Sequence, residues 1–303
     1  VDTFPDLPKE RVYGEFRKLL LEAARPSVGF EFLRESGWLI HFPELVALVD
    51  CPQRAEWHPE GDVWTHSLLA ADAMAEIRHT VPEHQREAFA FAVPLHDLGK
   101  PEFTITQEMM DRQDPLVLER AKSAKRDVAD MLLTAHGHDI GGMAPAESFM
   151  RRITNTTKLI KLVSGIVGMH MRPWSLRAGD ARKGGYARLH RKMQEFGGDL
   201  RLIGRMCQCD SCATGNNWKD RSLSSGDPNW EHESSKRIFD YAEEFDKDAN
   251  AVVPKVRGRD LIAAGLKPGQ QFGKILKDAL DVQDSDETLD KAAILAQVLP
   301  GLV

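Results

Sequence analysis

Residues 87–104 read EAFAFAVPLHDLGKPEFT, a stretch in which an apolar, helix-forming run leads directly into His96 and Asp97. Gly99 predicts the end of this helix, because glycine tolerates the left-handed conformation that often follows a last helical turn. Neighbouring helical residues point about 100° apart, so an imidazole and a carboxylate at a helix edge can flank one ion if they face a common cavity. The alternative for this pair alone is a capping aspartate beside a surface histidine.

The rest of the chain repeats the helical spacing of apolar residues, whereas strand-like alternation is scarce. Residues 216–235 are rich in Gly, Asn, Ser and Asp, and so long a connection predicts a mobile lid or an external loop. The sequence therefore predicts an all-α protein, with helices at 13–24, 29–39, 63–77, 85–97, 117–135, 157–171, 199–213 and 235–250, and a loop leading into a helix at 265–280.

The composition is that of an ordinary globular protein, with 42% hydrophobic and 28% charged residues among 303. The formal net charge of -6 excludes a surface that binds polyanions everywhere, so any nucleic-acid contact must come from a local basic patch. No apolar run reaches the length of a membrane span, and the first residues lack the apolar core of a signal peptide. Four cysteines do not make a disulfide framework, which favours a reducing, cytoplasmic setting without a membrane partner.

Histidines and aspartates recur near the ends of the predicted helices. His66 lies on the inward face of its helix, where a hydrogen-bonded core side chain is the more common outcome for a single histidine. His136 and His138 both sit in a glycine-rich turn, and His170 and Asp210 follow an apolar and an amphipathic run. Imidazole and carboxylate groups suit Mn, Fe, Co, Ni or Zn better than Ca, and buried ionisable groups are costly unless they are paired or hold a metal. Five or six such groups along one chain, with His66, His96 and Asp97 among them, therefore favour a site for divalent transition-metal ions.

The order of these residues resembles that of the HD superfamily of metal-dependent phosphohydrolases, and more narrowly the HD half of bacterial tRNA nucleotidyltransferases, the CCA-adding enzymes. The likeness runs from about Arg11 to about Leu280. It is carried by the neck-like stretch RKLLLEAARPSVGFEFLRESGWLIHFPEL (17–45), the first-histidine helix EWHPEGDVWTHSLLAADAMAE (56–76), the motifs LHDLGKP (95–101) and GHDIGG (137–142), and the C-terminal stretch GRDLIAAGLKPGQQFGKIL (258–276).

The 303 residues depart from this family in three respects. They contain no Gly-Ser motif followed by an Asp-x-Asp pair, so they are not expected to add CCA by themselves. Pro94 stands two residues before His96, where a proline removes a helix hydrogen bond and bends the chain. The segment 101–135 is longer than the family spacing. The resemblance still implies an HD-domain helical bundle, with neck-like helices over 1–50, the HD domain over 51–215, the loop over 216–235 and a C-terminal helical segment over 236–303.

By resemblance, the chain is a metal-dependent phosphohydrolase that cleaves a 2′,3′-cyclic phosphate, or a 2′- or terminal phosphate, from nucleotides or RNA ends. The implied catalytic residues are His96, Asp97 and Lys100. We expect one ion between the first-histidine helix, the His-Asp pair and Asp210, and a second ion or the substrate phosphate at His138 and His170. Two alternatives stay open, a nucleotidase acting on free mononucleotides and a non-catalytic tRNA- or RNA-binding body that partners a separate nucleotidyltransferase.

Residues 171–192 hold seven Lys and Arg but only one Asp, together with Trp174 and Tyr186. Cations beside rings that can stack suit an RNA 3′ end or a nucleotide, whereas a solvated loop with ordinary charges is the alternative. The predicted substrate-binding residues are Lys100, Arg172, Arg177, Arg182 and Lys183.

Cys207, Cys209 and Cys212 are predicted to be packing residues rather than metal ligands. In a helix, Cys209 and Cys212 share a side to which Cys207 does not point. No Cys-x-x-Cys partner nearby completes a four-ligand zinc site.

Overall fold

The computed structural model describes residue 4 and residues 7–179, 183–214, 233–247, 253–286 and 288–299. Every regular element within these ranges is an α-helix or a short 3₁₀-helix, which confirms the predicted all-α helical bundle. In the same ranges, no helix combines the length and the apolar character that crossing a lipid bilayer requires.

The first helices are α1 (Lys9–Glu22), α2 (Pro26–Glu35) and α3 (Pro43–Val46), with a 3₁₀ turn (Trp38–His41) before α3. Proline suits the first position of α2 and of α3, because its fixed φ is helical and the N–H it lacks would have no partner inside the helix. Next come α4 (Val63–Ile77), a 3₁₀ turn (Arg78–Thr80) and α5 (Glu83–Leu95). The bounds of α4 are those that the sequence predicts.

The segment between α5 and His138 forms a helical insertion. It contains α6 (Lys100–Phe103), α7 (Gln107–Asp111), α8 (Pro115–Ala124) and a 3₁₀ turn (Val128–Met131). The predicted single helix over 117–135 is wrong, because Lys125 adopts a left-handed backbone with a φ of 52° that ends α8. The insertion packs on an apolar cluster of its own, formed by Ile105, Val117, Ala121 and Met131.

The remaining helices complete the bundle and extend it. The predicted loop 216–235 lies outside the described residues except at its end, where a helix begins at Glu233. These helices are α9 (His138–Gly141), α10 (Met143–Ile153), α11 (Thr157–Met169), α12 (Arg172–Ala178), α13 (Lys183–Phe196), α14 (Leu200–Ala213), α15 (Glu233–Lys247), α16 (Gly258–Ala263), α17 (Gln271–Ser285) and α18 (Lys291–Val298).

The centre of the bundle is formed by α4, which packs against α5 and α14, and by α11, which packs against α5. Large buried side chains such as Trp64, Phe89 and Met206 fill the space between these helices. Cys209 and Cys212 belong to the same apolar core, and all three cysteines of α14 are buried. The core therefore fixes the relative positions of four helices that carry, or end next to, the predicted site residues.

The C-terminal helices pack on a second apolar cluster. They contact the bundle where α17 packs against α13. The carbonyl oxygen of Asp284 lies so close to Gly184 that any side chain at Gly184 would collide with it. The carboxylate of Asp284 accepts hydrogen bonds from Arg188 and Arg191. The second cluster consists of Val256, Leu261, Ala279, Ile294 and Leu299. The division of the chain into domains, with a separate C-terminal segment from residue 236, stays a prediction.

The buried carboxylate of Asp72, in α4, fixes the start of α2. It accepts hydrogen bonds from the Ser27 N–H at 2.9 Å and the Ser27 hydroxyl at 2.7 Å, and from the Arg25 guanidinium at 3.3 Å. Because the first N–H groups of a helix have no partner inside it, this carboxylate satisfies a group that would otherwise be orphaned. Asp72 thereby attaches α2 to the helix that carries His66.

We predict that Asp72→Ala destabilises the protein by about 2–3 kcal/mol, because it leaves a buried amide and a hydroxyl without their charged acceptor. The midpoint and slope of urea unfolding, followed by circular dichroism, measure this change. Glu76→Ala, at an exposed position of the same helix, is the matched control and should stay within about 0.5 kcal/mol of wild type. Equal losses for the two variants would contradict the role of Asp72.

Candidate metal centre

The structure brings all six predicted ligand residues together in one buried cluster. They arrive from separate parts of the chain, two of them in α4 and α14, two just after α5, one at the start of α9 and one just after α11. All six side chains are buried, namely those of His66, His96, Asp97, His138, His170 and Asp210.

Asp97 lies at the centre of this cluster. Its Oδ2 lies 3.2 Å from Nε2 of His96 and 3.8 Å from Nε2 of His66, and its Oδ1 lies 3.1 Å from Nε2 of His138 and 3.8 Å from Nε2 of His170. Asp97 thus contacts two groups of imidazoles, the first formed by His66 and His96 and the second by His138 and His170. Asp210 completes the first group, with its Oδ1 3.0 Å from Nε2 of His66.

Three of the imidazoles are oriented by the same local interaction, a hydrogen bond from the ring to the backbone carbonyl three residues earlier. Nδ1 of His96 donates to the carbonyl of Val93 at 2.7 Å, and Nδ1 of His170 donates to the carbonyl of Val167 at 2.7 Å. Nδ1 of His138 likewise donates at 2.8 Å to the carbonyl three residues before it. A carbonyl only accepts, so the hydrogen of each neutral ring sits on Nδ1 and a lone pair points from Nε2 into the cluster.

These lone pairs lack donors that would satisfy them. The Nε2 atoms of His138 and His170 face each other at 3.1 Å, so they repel unless a proton or a metal ion lies between them. Among the buried side-chain atoms of the described residues, Nε2 of His96 makes no hydrogen bond. Unsatisfied buried acceptors of this kind are costly, and a cation bound among them would remove that cost.

His66 is held by a carboxylate that the sequence did not single out. Its Nδ1 lies 2.7 Å from Oε1 of Glu60, which also accepts from Nδ1 of His58 at 2.8 Å. Burial would raise the pKa of Glu60, but its hydrogen bonds to His58 and His66 outweigh this and lower the pKa to about 2. A carboxylate behind a ligating histidine fixes the ring and makes it a better ligand. The one signal for Glu60 in the sequence is its position between two histidines in a segment with no regular structure.

The electrostatics of the cluster favour ionised carboxylates. Burial would raise the pKa of Asp97, but His96 and Lys100 hold it well below its usual range. The pKa of Asp210 is also lowered, because its hydrogen bond with His66 outweighs burial.

The histidines of the two groups differ in their affinity for protons. Burial would lower the pKa of His66, but its hydrogen bonds to Asp210 and Glu60 raise the pKa to about 9. Burial lowers the pKa of His170 to about 3, and the neighbouring His138 and His96 contribute. Imidazole nitrogens beside ionised carboxylates form a donor set that divalent transition metals prefer, so these residues fit such an ion. The donor set does not choose among Mn, Fe, Co, Ni and Zn.

Close backbone packing brings α9 to the His-Asp pair. Gly99 has a φ of -82°, so the expected left-handed conformation is wrong. A side chain at Gly99 would instead collide with the carbonyl oxygen of His138 and approach the amide nitrogen of Gly142 to 2.7 Å. Pro94 stays inside α5, whose last residue is Leu95. Glycine is therefore required here because two backbone segments touch.

Four residues of the cluster line the floor of a cavity of about 860 Å³, namely Asp97, His138, His170 and Asp210, whereas His66 and His96 lie behind them. Lys100 reaches this floor, with Nζ 2.7 Å from Oδ2 of Asp97 and 2.6 Å from Oε1 of Gln53. Arg177 lines the cavity and pairs with Glu233 at 3.2 Å.

The other predicted substrate contacts are placed differently. Within the described residues, Arg172 and Lys183 do not line the cavity, and Lys183 pairs with Glu244 at 2.6 Å. Arg182 lies outside the described residues. The basic stretch forms α12 and α13 rather than a loop, and Tyr186 is not available for stacking on a ligand, because it is 1% exposed and stacks on Tyr241.

A second wall of the cavity was not predicted. It is formed by residues 52–59 and by residues 126 and 133–139 of the insertion and the turn that follows it. Burial lowers the pKa of His136, and the positive charges of Arg126 and Arg120 add to this effect. Two arginines, Arg54 and Arg126, belong to this wall.

No family model matches the chain. Over 166 residues the chain is 32% identical to the multifunctional CCA protein of Neisseria meningitidis. The aligned region covers 54% of this chain and 32% of that protein. Over 143 residues it is 36% identical to the multifunctional CCA protein of Cupriavidus taiwanensis, covering 44% of this chain and 33% of the relative. The chain is related to the multifunctional CCA proteins. The matched part spans only about a third of the length of these CCA proteins.

We predict that Glu60→Ala weakens binding of Mn²⁺ by about 10- to 100-fold, because His66 loses the carboxylate that orients its ring. Isothermal titration calorimetry on the purified protein measures this affinity. Glu83→Ala is the matched control, since Glu83 is an exposed glutamate at the start of α5 and does not line the cavity. Unchanged affinity in Glu60→Ala would show that His66 needs no such support.

Gly99→Ala should force α9 away from the His-Asp pair, because the added methyl group collides with backbone atoms that cannot rotate aside. We expect a loss of stability of about 1–3 kcal/mol, as for other overpacked sites, and weaker Mn²⁺ binding. Urea unfolding and calorimetry measure the two effects. Gly14→Ala, in an open position of α1, should instead be neutral or stabilising. A Gly99→Ala protein with wild-type stability would refute the close approach.

Proposed function

We propose that this chain is a metal-dependent phosphohydrolase that removes a 2′,3′-cyclic phosphate, or a 2′- or terminal phosphate, from a nucleotide or an RNA end. The observation that carries this proposal is the convergence of imidazole Nε2 atoms and two ionised carboxylates on the floor of one cavity. A cavity of about 860 Å³ falls in the size range of small-molecule sites. The relation to multifunctional CCA proteins supports an RNA 3′ end as the source of the phosphate.

The six ligand-type residues would hold one or two divalent ions. Such an ion supplies a water of lowered pKa at neutral pH and neutralises charge on phosphate oxygens. The hydrogen bonds at Nδ1 keep the Nε2 atoms of His96, His138 and His170 directed into the cluster. Asp97 touches both groups of imidazoles, so it would fix the distance between the ends of the site.

Lys100 holds a positive charge at the cavity floor. Its Nζ contacts Asp97, and its bond to the neutral amide of Gln53 can be exchanged for one to a phosphate oxygen. A charge-assisted hydrogen bond to phosphate is stronger than one to an amide. We therefore propose Lys100 as a phosphate-binding catalytic residue and Arg177 as a further contact, whereas the roles proposed for Arg172, Arg182 and Lys183 depend on the sequence alone.

The non-catalytic alternative is less consistent with the site. A body that only binds RNA gains nothing from burying six ionisable side chains around unsatisfied lone pairs. A mononucleotidase would use the same residues, so only the choice of substrate separates it from an RNA-end hydrolase. We also propose a cytoplasmic location, which the small number of cysteines, four among 303 residues, supports.

The test is hydrolysis of three substrates by the purified protein with Mn²⁺, Ni²⁺, Co²⁺ or Zn²⁺ added separately. The substrates are adenosine 2′,3′-cyclic phosphate, a short RNA ending in a 2′,3′-cyclic phosphate, and adenosine monophosphate. We predict turnover of at least one cyclic phosphate, and its abolition in His96→Ala and Asp97→Ala, because each change removes a side chain from the centre of the donor set. Circular dichroism should show that both variants stay helical.

His84→Ala is the matched control, because His84 is an exposed histidine in the same helix, α5. It should keep wild-type turnover. Near-normal activity of Asp97→Ala would refute the assignment, hydrolysis of adenosine monophosphate alone would favour the mononucleotidase, and RNA binding without any turnover would favour the non-catalytic body.

A further inference from the structure

Trp57 presents an indole ring to the cavity above the metal centre. Trp57 is 62% exposed. Among the large apolar residues that are exposed in the described ranges, Trp57 alone lines this cavity. A tryptophan normally buries most of its large ring, so an exposed one beside a polar site needs a reason.

The backbone that carries this ring is firmly held. The N–H groups of Trp57 and His58 both donate to the carbonyl of Arg54, at 3.0 Å and 2.8 Å. The guanidinium of Arg54 donates in turn to the carbonyls of Asp130 and Leu132, each at 3.0 Å. These hydrogen bonds connect the segment 52–59 to the helical insertion, the two parts of the chain that form the second wall. Trp57 is thus a ring whose face is free and whose backbone is fixed, which limits the entropy lost when a flat ligand stacks on it.

The same turn is connected to the metal centre. His58, the neighbour of Trp57, bonds to Glu60, and Glu60 bonds to His66. The turn that carries Trp57 is therefore joined to the cluster by hydrogen bonds. Trp57 and Asp97 also line the same cavity.

The wall beside Trp57 also carries an available cation and a strained residue. Arg126 lines the cavity and makes no side-chain hydrogen bond or ion pair within the described structure. Leu133 has a left-handed backbone with a φ of 56°, and its N–H bonds to the carbonyl of Ile105 at 2.8 Å. Strain of this kind persists where the surroundings enforce it, and it is common beside ligand sites.

We propose that Trp57 is the surface on which the base of the substrate nucleotide stacks, while Arg126 binds the next phosphate of an RNA strand. This inference rests on the proposed function, because it places the reacting phosphate at the metal centre. An aromatic face, an available cation and a phosphate-binding floor in one cavity match the parts of a nucleotide, whose base stacks on aromatic rings with little dependence on sequence. The base supplies the affinity that a bare phosphate ester would lack.

The binding test uses the full chain in EDTA with adenosine 2′-monophosphate as the probe, and it does not require turnover. The nucleotide should quench tryptophan fluorescence in the wild-type protein, and Trp57→Phe should lose most of that quenching while keeping most of the affinity by equilibrium dialysis. Trp174→Phe, which changes the other tryptophan that lines the cavity in the described residues, should keep the quenching. Trp57→Ala should raise the Kd by roughly tenfold, within the range of base–aromatic stacking. Trp38→Ala is the matched control, because Trp38 is 43% exposed and lies outside the cavity lining, and it should bind like wild type.

The kinetic test compares adenosine 2′,3′-cyclic phosphate with the base-free ester methyl riboside 2′,3′-cyclic phosphate. Wild type should prefer the nucleotide in kcat/KM, Trp57→Ala should reduce this preference by roughly tenfold, and Trp57→Phe should restore it. Arg126→Ala should raise the KM for a short RNA with a cyclic end more than the KM for the mononucleotide. That difference identifies an RNA strand rather than a free nucleotide as the source of the base.

The two proposals fail in different ways. If wild type hydrolyses nothing but the quenching still depends on Trp57, the phosphohydrolase fails and the base-stacking surface stands. If wild type hydrolyses both cyclic esters with equal kcat/KM, or if Trp57→Ala binds the nucleotide like wild type, base stacking on Trp57 is refuted and the phosphohydrolase stands.

Discussion

The whole site depends on one constraint: the Nδ1–H of each histidine in the cluster makes a hydrogen bond to a partner outside the cluster. His96 and His170 meet it in the same way, since each directly follows the last residue of a helix and keeps helical backbone angles, with φ of -61° and -60° and ψ of -33° in both. Within a continuing helix the carbonyl three residues back lies beneath the next turn, whereas at these helix ends it accepts from the ring as well as from the backbone N–H of the same histidine. The ends of α5 and α11 therefore set the direction of two imidazoles, and the glycine-rich turn before α9 does the same for a third.

Burying so many ionisable groups is tolerable only because of what surrounds them. The apolar core between α4, α5, α11 and α14 holds the backbone, so the side chains cannot move apart to reach water. Lys100 offsets part of the charge of Asp97, and Glu60 offsets that of His66. A divalent ion would be bound by the folded chain and hardly by the unfolded one, so occupancy of the cluster and stability of the bundle are linked.

Much of this arrangement could be predicted from the sequence, because helix ends and buried polar residues leave local signals. The all-α class, the bounds of α4 and the convergence of the six ligand-type side chains followed from periodicity and from the order of the histidines and aspartates. Glu60 could not be assigned a role, since its place between His58 and His66 arises only when an irregular segment folds against α4. The left-handed Lys125 has no signal in its residue type. The burial of Tyr186 depends on the packing of α13 against α15.

The helical insertion has its own small apolar cluster, separate from the core that holds the histidines. The free energy that keeps it folded comes from a few side chains, whereas the floor of the cavity shares the stability of the entire bundle. One side of the cavity is therefore built on a weakly cooperative unit and its base on a strongly cooperative one. We therefore expect amide hydrogens around Ile105 and Met131 to exchange faster than those of α4 and α5. Such a division lets a cavity admit a bulky molecule without loosening the side chains that perform its chemistry.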